Sequence, residues 1–165
     1  MSSPYAVRTA APGDLEAIAG LFAEHALFER NPTLVCIDPS KLGRALFAEA
    51  PPLHALVASH DAGLIGYATF TLDFSTWRLA PYLHLDCLYI QRPHRRAGVG
   101  RLLMAWLADE ARSSGCSVAE WQTPHWNVPA AGFYQMLGAE EHRKLRFVWQ
   151  FDNPAAHGES PSMTS

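Results

Sequence analysis

A chain of 165 residues with 48% apolar and 18% charged residues is long enough for one folded domain with its own core. A formal net charge of -3 gives no overall basic character, so nucleic acid is not an expected partner. No segment has the order of a secretory signal, and no apolar run is long enough to span a bilayer. The three cysteines (Cys36, Cys87, Cys116) show neither metal nor redox spacing. The expectation is a cytoplasmic protein without a metal, without a membrane partner, and with cysteines serving as small core residues.

Tyr5 to Thr9 reads as a short first strand. Pro12 begins a helix with Asp14 and Glu16 in its first turn and Leu15, Ile18, Phe22 and Ala26 as its buried stripe. Asp38-Pro39 has cap chemistry for a second helix carrying Leu42, Ala45 and Leu46 on one face, and Pro51-Pro52 stops it. Leu53 to Ser59 and Leu64 to Leu72 form a hairpin around Asp61-Ala62-Gly63. Tyr82 to Ile90 is a largely apolar run, suited to a strand covered on both faces.

From Val99 to Arg112 the apolar residues Val99, Leu102, Leu103, Trp106 and Leu107 recur at helical spacing, and Gly115 ends the element. Ser117 to Gln122 reads as another strand. Asn127 is an N-cap for a short helix with Pro129 in its first turn, Phe133 and Leu137 facing the core, and Gly138 as the stop. Lys144 to Phe151 reads as a last strand. Beyond it Pro, Ala, Gly, Ser and Glu dominate, which predicts a single domain over 1–151 and a disordered tail over 152–165. The alternation of strands and helices predicts an α/β or α+β fold.

The stretch Arg95-Arg96-Ala97-Gly98-Val99-Gly100-Arg101 joins the apolar strand to the clearest helix. Glycines let a backbone pass close to a ligand, and the first amides of a helix point outward, partly positive and unpaired. Such a turn is an anion-binding device. A P-loop would need Lys and then Ser or Thr after its last glycine, where Arg101 and Leu102 stand. A dinucleotide fingerprint would need glycine where Leu103 stands.

What remains, Arg95-x-x-Gly98-x-Gly100, resembles the acetyl-CoA loop of the GNAT N-acetyltransferase superfamily. Asn127-Val128-Pro129-Ala130-Ala131-Gly132-Phe133-Tyr134-Gln135-Met136-Leu137-Gly138-Ala139 resembles that superfamily's other signature, in the expected order and at a suitable distance. The resemblance covers Tyr5 to Phe151. It implies the GNAT fold, a mixed and mostly antiparallel central sheet flanked by helices on both faces. Tyr67 to Trp77, Leu85 to Ile90 and Trp126 to Pro129 are further similar to the diamine (spermidine/spermine) acetyltransferase branch. Against that branch, Asp86 stands in place of Glu, Cys87 in place of Asp, and His84 in place of Tyr, which puts a polyamine acceptor in question.

The resemblance implies acetyl-CoA as co-substrate and assigns its contacts. Backbone groups of Leu88, Tyr89 and Ile90 meet the pantetheine amides. Arg95, Arg96, Ala97, Gly98, Val99, Gly100 and Arg101 meet the phosphates, and Asn127, Ala130 and Tyr134 add contacts. Tyr134 is the general acid for the leaving sulfur, which suits a phenol of pKa ~10. Asp86 takes the amine's proton, directly or through water; the alternative is an ion-pairing acid in a packed sheet. The pleat puts His84 on the same face as Asp86 unless a bulge intervenes, so His84 either shares the proton relay or lines the pocket wall. Phe28, Glu29, Trp77 and Asp86 are candidates for holding the acceptor.

The function implied is acetyl transfer from acetyl-CoA to a primary amine of a small molecule, diamine-like or amino-acid-like, by direct attack in a ternary complex. The alternatives are a protein or peptide N-acetyltransferase and a non-catalytic acyl-CoA-binding module. The branch is dimeric, which implies a homodimer here.

Overall fold

The computed structural model describes residues 4–30, 37–61, 63–149 and 151. Cys36, Ala62 and the expected disordered tail lie outside them. The chain divides into two units, one up to Gln122 and one from Thr123 on.

The first unit is a five-stranded sheet with helices on both faces. Its strands are β1 (Tyr5–Thr9), β2 (His54–His60), β3 (Gly63–Ser75), β4 (Ala80–Ile90) and β5 (Ala119–Trp121), lying side by side in chain order. The first three pairings are antiparallel, and β4 pairs β5 in parallel. Alternation along β2 sorts the two cores: Leu56 and Ala58 pack with one face's cluster, Ala55 and Val57 with the other's. On the first face lies α3 (Val99–Ser113), which buries Val99, Leu103, Leu107 and Ala111 at a spacing of one turn. Trp106, part of the same sequence repeat, is 40% exposed. On the second face lie α1 (Leu15–Phe28) and α2 (Pro39–Phe47).

Local chemistry explains the ends of these helices. A 3-10 turn, Pro12–Asp14, leads into α1, and Asp14 Oδ2 accepts the Ala11 amide while Arg8 grips the same carboxylate at 2.6 and 2.8 Å. The Arg8 guanidinium holds the Asp14 carboxyl below its ordinary range. Asp38 caps α2 by accepting from the Ser40 amide at 2.9 Å. The buried stripe of α1 is Ile18, Leu21, His25 and Ala26, whereas the spacing predicts Leu15 and Phe22, which are only half-buried. A histidine at a core position is what the polar/apolar pattern does not reveal.

The register of the β3–β4 pair carries the feature that matters for function. Thr69 sits opposite Cys87 and Phe70 opposite Leu85, so Asp86 is an extra, bulged residue of β4. The bulge breaks the pleat's alternation. Leu83 and Leu85 before it share the α3-side core with Leu88 and Ile90 after it, while Cys87 and Tyr89 join Leu21 and Tyr67 on the α1 side.

The second unit contains α4 (Val128–Met136), capped by Asn127, whose Oδ1 accepts from the Ala130 amide at 3.4 Å. Two expectations fail here. The helix buries no residue fully: Phe133 is half-buried and Leu137 is 36% exposed. Val128, Met136 and Leu137 give it apolar residues on more than one side, so spacing does not single out a core face. The strand expected over Lys144–Phe151 is absent among the described residues, 139–149 having no regular structure. Leu145, Phe147, Val148, Trp149 and Phe151 stay exposed instead. Alternating apolar residues make a strand only when a sheet edge pairs with them, and among the described residues no strand pairs with these.

Candidate active site

The site is assembled in the first unit from the end of α1, from β4 beyond its bulge, and from the turn into α3. β5 pairs with β4 only at Leu83, His84 and Leu85, and ends at Trp121. From the bulge at Asp86 to Ile90, β4 is therefore hydrogen-bonded to β3 on one edge and, among the described residues, to no strand on the other. Apart from the Ile90 carbonyl, which accepts from Arg95, this edge is a row of main-chain donors and acceptors suited to an extended, amide-bearing ligand. It leads to Gly98, whose φ of 88° places it in the left-handed region as the N-cap of α3. No side chain caps that helix, and its first internal bond runs from Leu102 N to Gly98 O, so the amides of Val99, Gly100 and Arg101 precede the ladder. A Cβ at Gly98 would meet nothing within 4 Å.

The loop arginines are not equivalent. Arg96 and Arg101 are exposed. Arg95 is turned back onto the site: its Nε donates to the Ile90 carbonyl at 2.8 Å, and its guanidinium lies 4.5 Å from the centre of the Phe28 ring and 5.5 Å from that of Tyr89.

Asp86 is exposed at the bulge, where its Oδ2 lies 3.8 Å from the Cys87 sulfur. Its negative charge also acts on His25 and Tyr67. Burial, then the neighbouring Asp86 charge, pushes the Cys87 thiol up to about 12, so it stays protonated. His84 is half-buried, and no hydrogen bond or ion pair joins it to Asp86 among the described residues. Phe28 and Glu29 stand together at the end of α1, close to Arg95 and His25 respectively. Trp77 is 98% exposed in the turn between β3 and β4. Tyr134 lies half-buried on α4 of the second unit, next to Phe133 at 5.3 Å between ring centres.

The structure also draws in His25, Tyr67, Glu24 and Gln91, to which the sequence assigns no role. His25 Nδ1 is 2.6 Å from the Tyr67 hydroxyl, and its Nε2 is 3.3 Å from Glu29 Oε1. Tyr89 and Gln91 both donate to the Glu24 carboxylate. A tyrosine inside the apolar run of β3 was the available signal, because a buried phenol needs a partner.

An open strand edge thus leads to a helix N-terminus without a side-chain cap, with a carboxylate at its far end. The chain belongs to the acetyltransferase (GNAT) family, whose model matches residues 23–139. It is 29% identical to thialysine N-epsilon-acetyltransferase of Bos taurus over 143 residues, 82% of this chain and 84% of that one. The corresponding protein of Caenorhabditis elegans is 31% identical over 133 residues, 81% of each. Among solved structures, an aminoglycoside acetyltransferase from an uncultured soil metagenomic sample superposes with a TM-score of 0.77, covering 88% of this chain and 95% of that one, at 16% identity. The fold is thus that of the acetyltransferases. The family's acetyl-CoA fits the residues present, because the strand edge offers main-chain partners and the turn offers helix amides that no side chain caps.

Proposed function

We propose that this acetyltransferase moves the acetyl group of acetyl-CoA to a primary amine of a small molecule, by direct attack in a ternary complex. The observation that carries the reading is the open edge of β4, which runs from the Asp86 carboxylate to the glycine turn at α3. Acetyl-CoA supplies an acyl group activated as a thioester. Main-chain groups of Leu88, Tyr89 and Ile90 hold its amide-bearing arm. The amides from Ala97 to Arg101 hold the phosphates, with Arg96 and Arg101 adding charge. Asn127 and Ala130 add the contacts that the second signature implies.

An alkylamine has a pKa of about 10.4 and arrives protonated. Asp86 accepts that proton, directly or through water, and His84 serves as a water-linked relay. Tyr134 carries a proton on its hydroxyl for the departing sulfur. Phe28, Glu29 and Trp77 face the acceptor, and Glu29 and Asp86 attract its positive charge. Relatives named for thialysine and, in Arabidopsis thaliana, for L-ornithine N5-acetylation support a small acceptor with a second charged group. Free thiols at Cys87 and Cys116 suit a reducing cytoplasm, and the diamine branch supports a homodimer.

Thiol release from acetyl-CoA across a panel of amines tests the reading. Signal with small amines is the expected result. Signal with peptides alone makes the protein a peptide acetyltransferase, and tight acetyl-CoA binding with no acceptor makes it a binding module.

A further inference from the structure

His25 is a buried titratable side chain that the proposed chemistry leaves unused. It lies on α1 one turn before Glu29, is 8% exposed, and is engaged at both ring nitrogens. An ionised carboxylate only accepts hydrogen bonds, so Nε2 carries the hydrogen and donates to Glu29, and Nδ1 accepts from the Tyr67 hydroxyl. A single neutral tautomer satisfies all three groups. The ring is further stacked on Tyr89, at 5.0 Å and 24°.

The two ends of this chain of bonds differ. Tyr67 is 1% exposed and sits in β3, which is paired on both edges, so it is a fixed point. The Glu29 side chain is 39% exposed, beyond the last residue of α1. Left alone, that carboxylate samples several rotamers. The helix end itself has a separate anchor in Glu24, held by Tyr89 and Gln91. Glu24 thus gives the helix end a second anchor, and His25 is the side chain that ties the Glu29 carboxylate to the sheet.

We infer that His25 is a positioning residue, which aims the Glu29 carboxylate at a second cationic group of the acceptor. This rests on the reading that Glu29 meets a small cationic amine. The charged and titratable groups around His25 are Glu29 on its own helix, Arg95 from the loop, Asp86 and Tyr89 on β4, and Tyr67 on β3. Burial outweighs the two carboxylates and favours the neutral ring, so no positive charge competes with the acceptor.

Steady-state kinetics with a linear aliphatic diamine and the monoamine of equal length test the assignment. His25→Leu is expected to raise KM for the diamine about tenfold, the usual cost of freeing a charged hydrogen-bond partner. It should leave kcat, KM for acetyl-CoA and KM for the monoamine close to wild type. Glu29→Gln should raise the diamine KM at least as much, and the double variant should be no worse than Glu29→Gln alone. His25→Gln, whose amide reaches the Nε2 position, should restore the diamine KM, whereas His25→Asn should not. That pair carries the test if His25→Leu does not fold. Additive effects of His25→Leu and Glu29→Gln, equal KM rises for both amines, or a fall in kcat alone each overturn the role. A wild-type protein that acetylates neither amine overturns the proposed function and this inference with it. A wild type that turns over the diamine, with KM unchanged in every His25 variant, overturns only the inference.

Discussion

Asp86 and Tyr134 carry opposite duties in the proposed reaction, and each predicts its own kinetic signature. Asp86 is exposed at the β4 bulge and makes no ion pair among the described residues, so its removal changes chemistry more than packing. Asp86→Asn should lower kcat about a hundredfold at neutral pH, the low end of what a positioned acid or base supplies. Tyr134→Phe removes the proton-donating hydroxyl, so kcat should fall while acetyl-CoA affinity, measured by calorimetry, stays near wild type. Unchanged turnover in either variant removes that residue from the mechanism. Asp86 and Tyr134 were legible from the two signatures, one counted back from the loop and the other within the second motif. The His25–Tyr67–Glu29 chain was not, because it joins residues 42 apart in sequence through a single hydroxyl.

At the scale of elements, two glycines do different work, and their substitutions separate two kinds of cost. Gly98 adopts φ 88° in open space, so Gly98→Ala adds only left-handed strain, about 1–2 kcal/mol. Gly66 on β3 is tight: a Cβ there falls 2.7 Å from the Tyr89 carbonyl oxygen and 3.2 Å from the Ile90 side chain. Gly66→Ala should therefore cost about 1–3 kcal/mol and displace β4 at Tyr89 and Ile90, the end of its open edge nearest the α3 turn. Thermal melts should show Tm falling in both. Acetyl-CoA titration should show weaker binding in Gly66→Ala even where the fold survives. Full affinity in a folded Gly66→Ala protein argues against the β4 edge as the binding element. The expected strand at 144–151 shows the limit of element reading: its pattern is strand-like, but pairing is a property of a partner edge.

For the whole molecule, the buried neutral His25 makes stability depend on pH. Burial lowers its pKa in the folded protein, so as pH falls below about 6.5 the unfolded chain takes up a proton that the folded one refuses. Stability is then lost progressively until the folded pKa is reached. Asp14 acts in the same direction at lower pH, since its folded pKa is also depressed, and the stabilisation from Arg8 fades as that carboxyl protonates. Tm should therefore fall on going from about pH 7.5 to about pH 5, and His25→Leu should flatten the fall. A wild-type Tm that is constant over that range, or a variant with the same slope, contradicts the assignment. Among the described residues, no helix is long and apolar enough to cross a membrane.

The sequence by itself determined the order of the elements as far as α4, their caps and stops, and the two motifs that mark the acetyltransferase family. Those signals are local: Asp38 and Asn127 cap within three residues, and Gly98 and Gly115 adopt left-handed conformations where the periodicity breaks. Only the tertiary structure decided that Asp86 is a bulge, that β4 parts from β5 after Leu85, that Arg95 turns back onto Phe28, and that His25 is buried against Tyr67. Each depends on which strand or helix lies opposite. Register, splay and burial are relations between segments, and a polar residue such as His25 is placed by the partner it finds rather than by its own hydropathy.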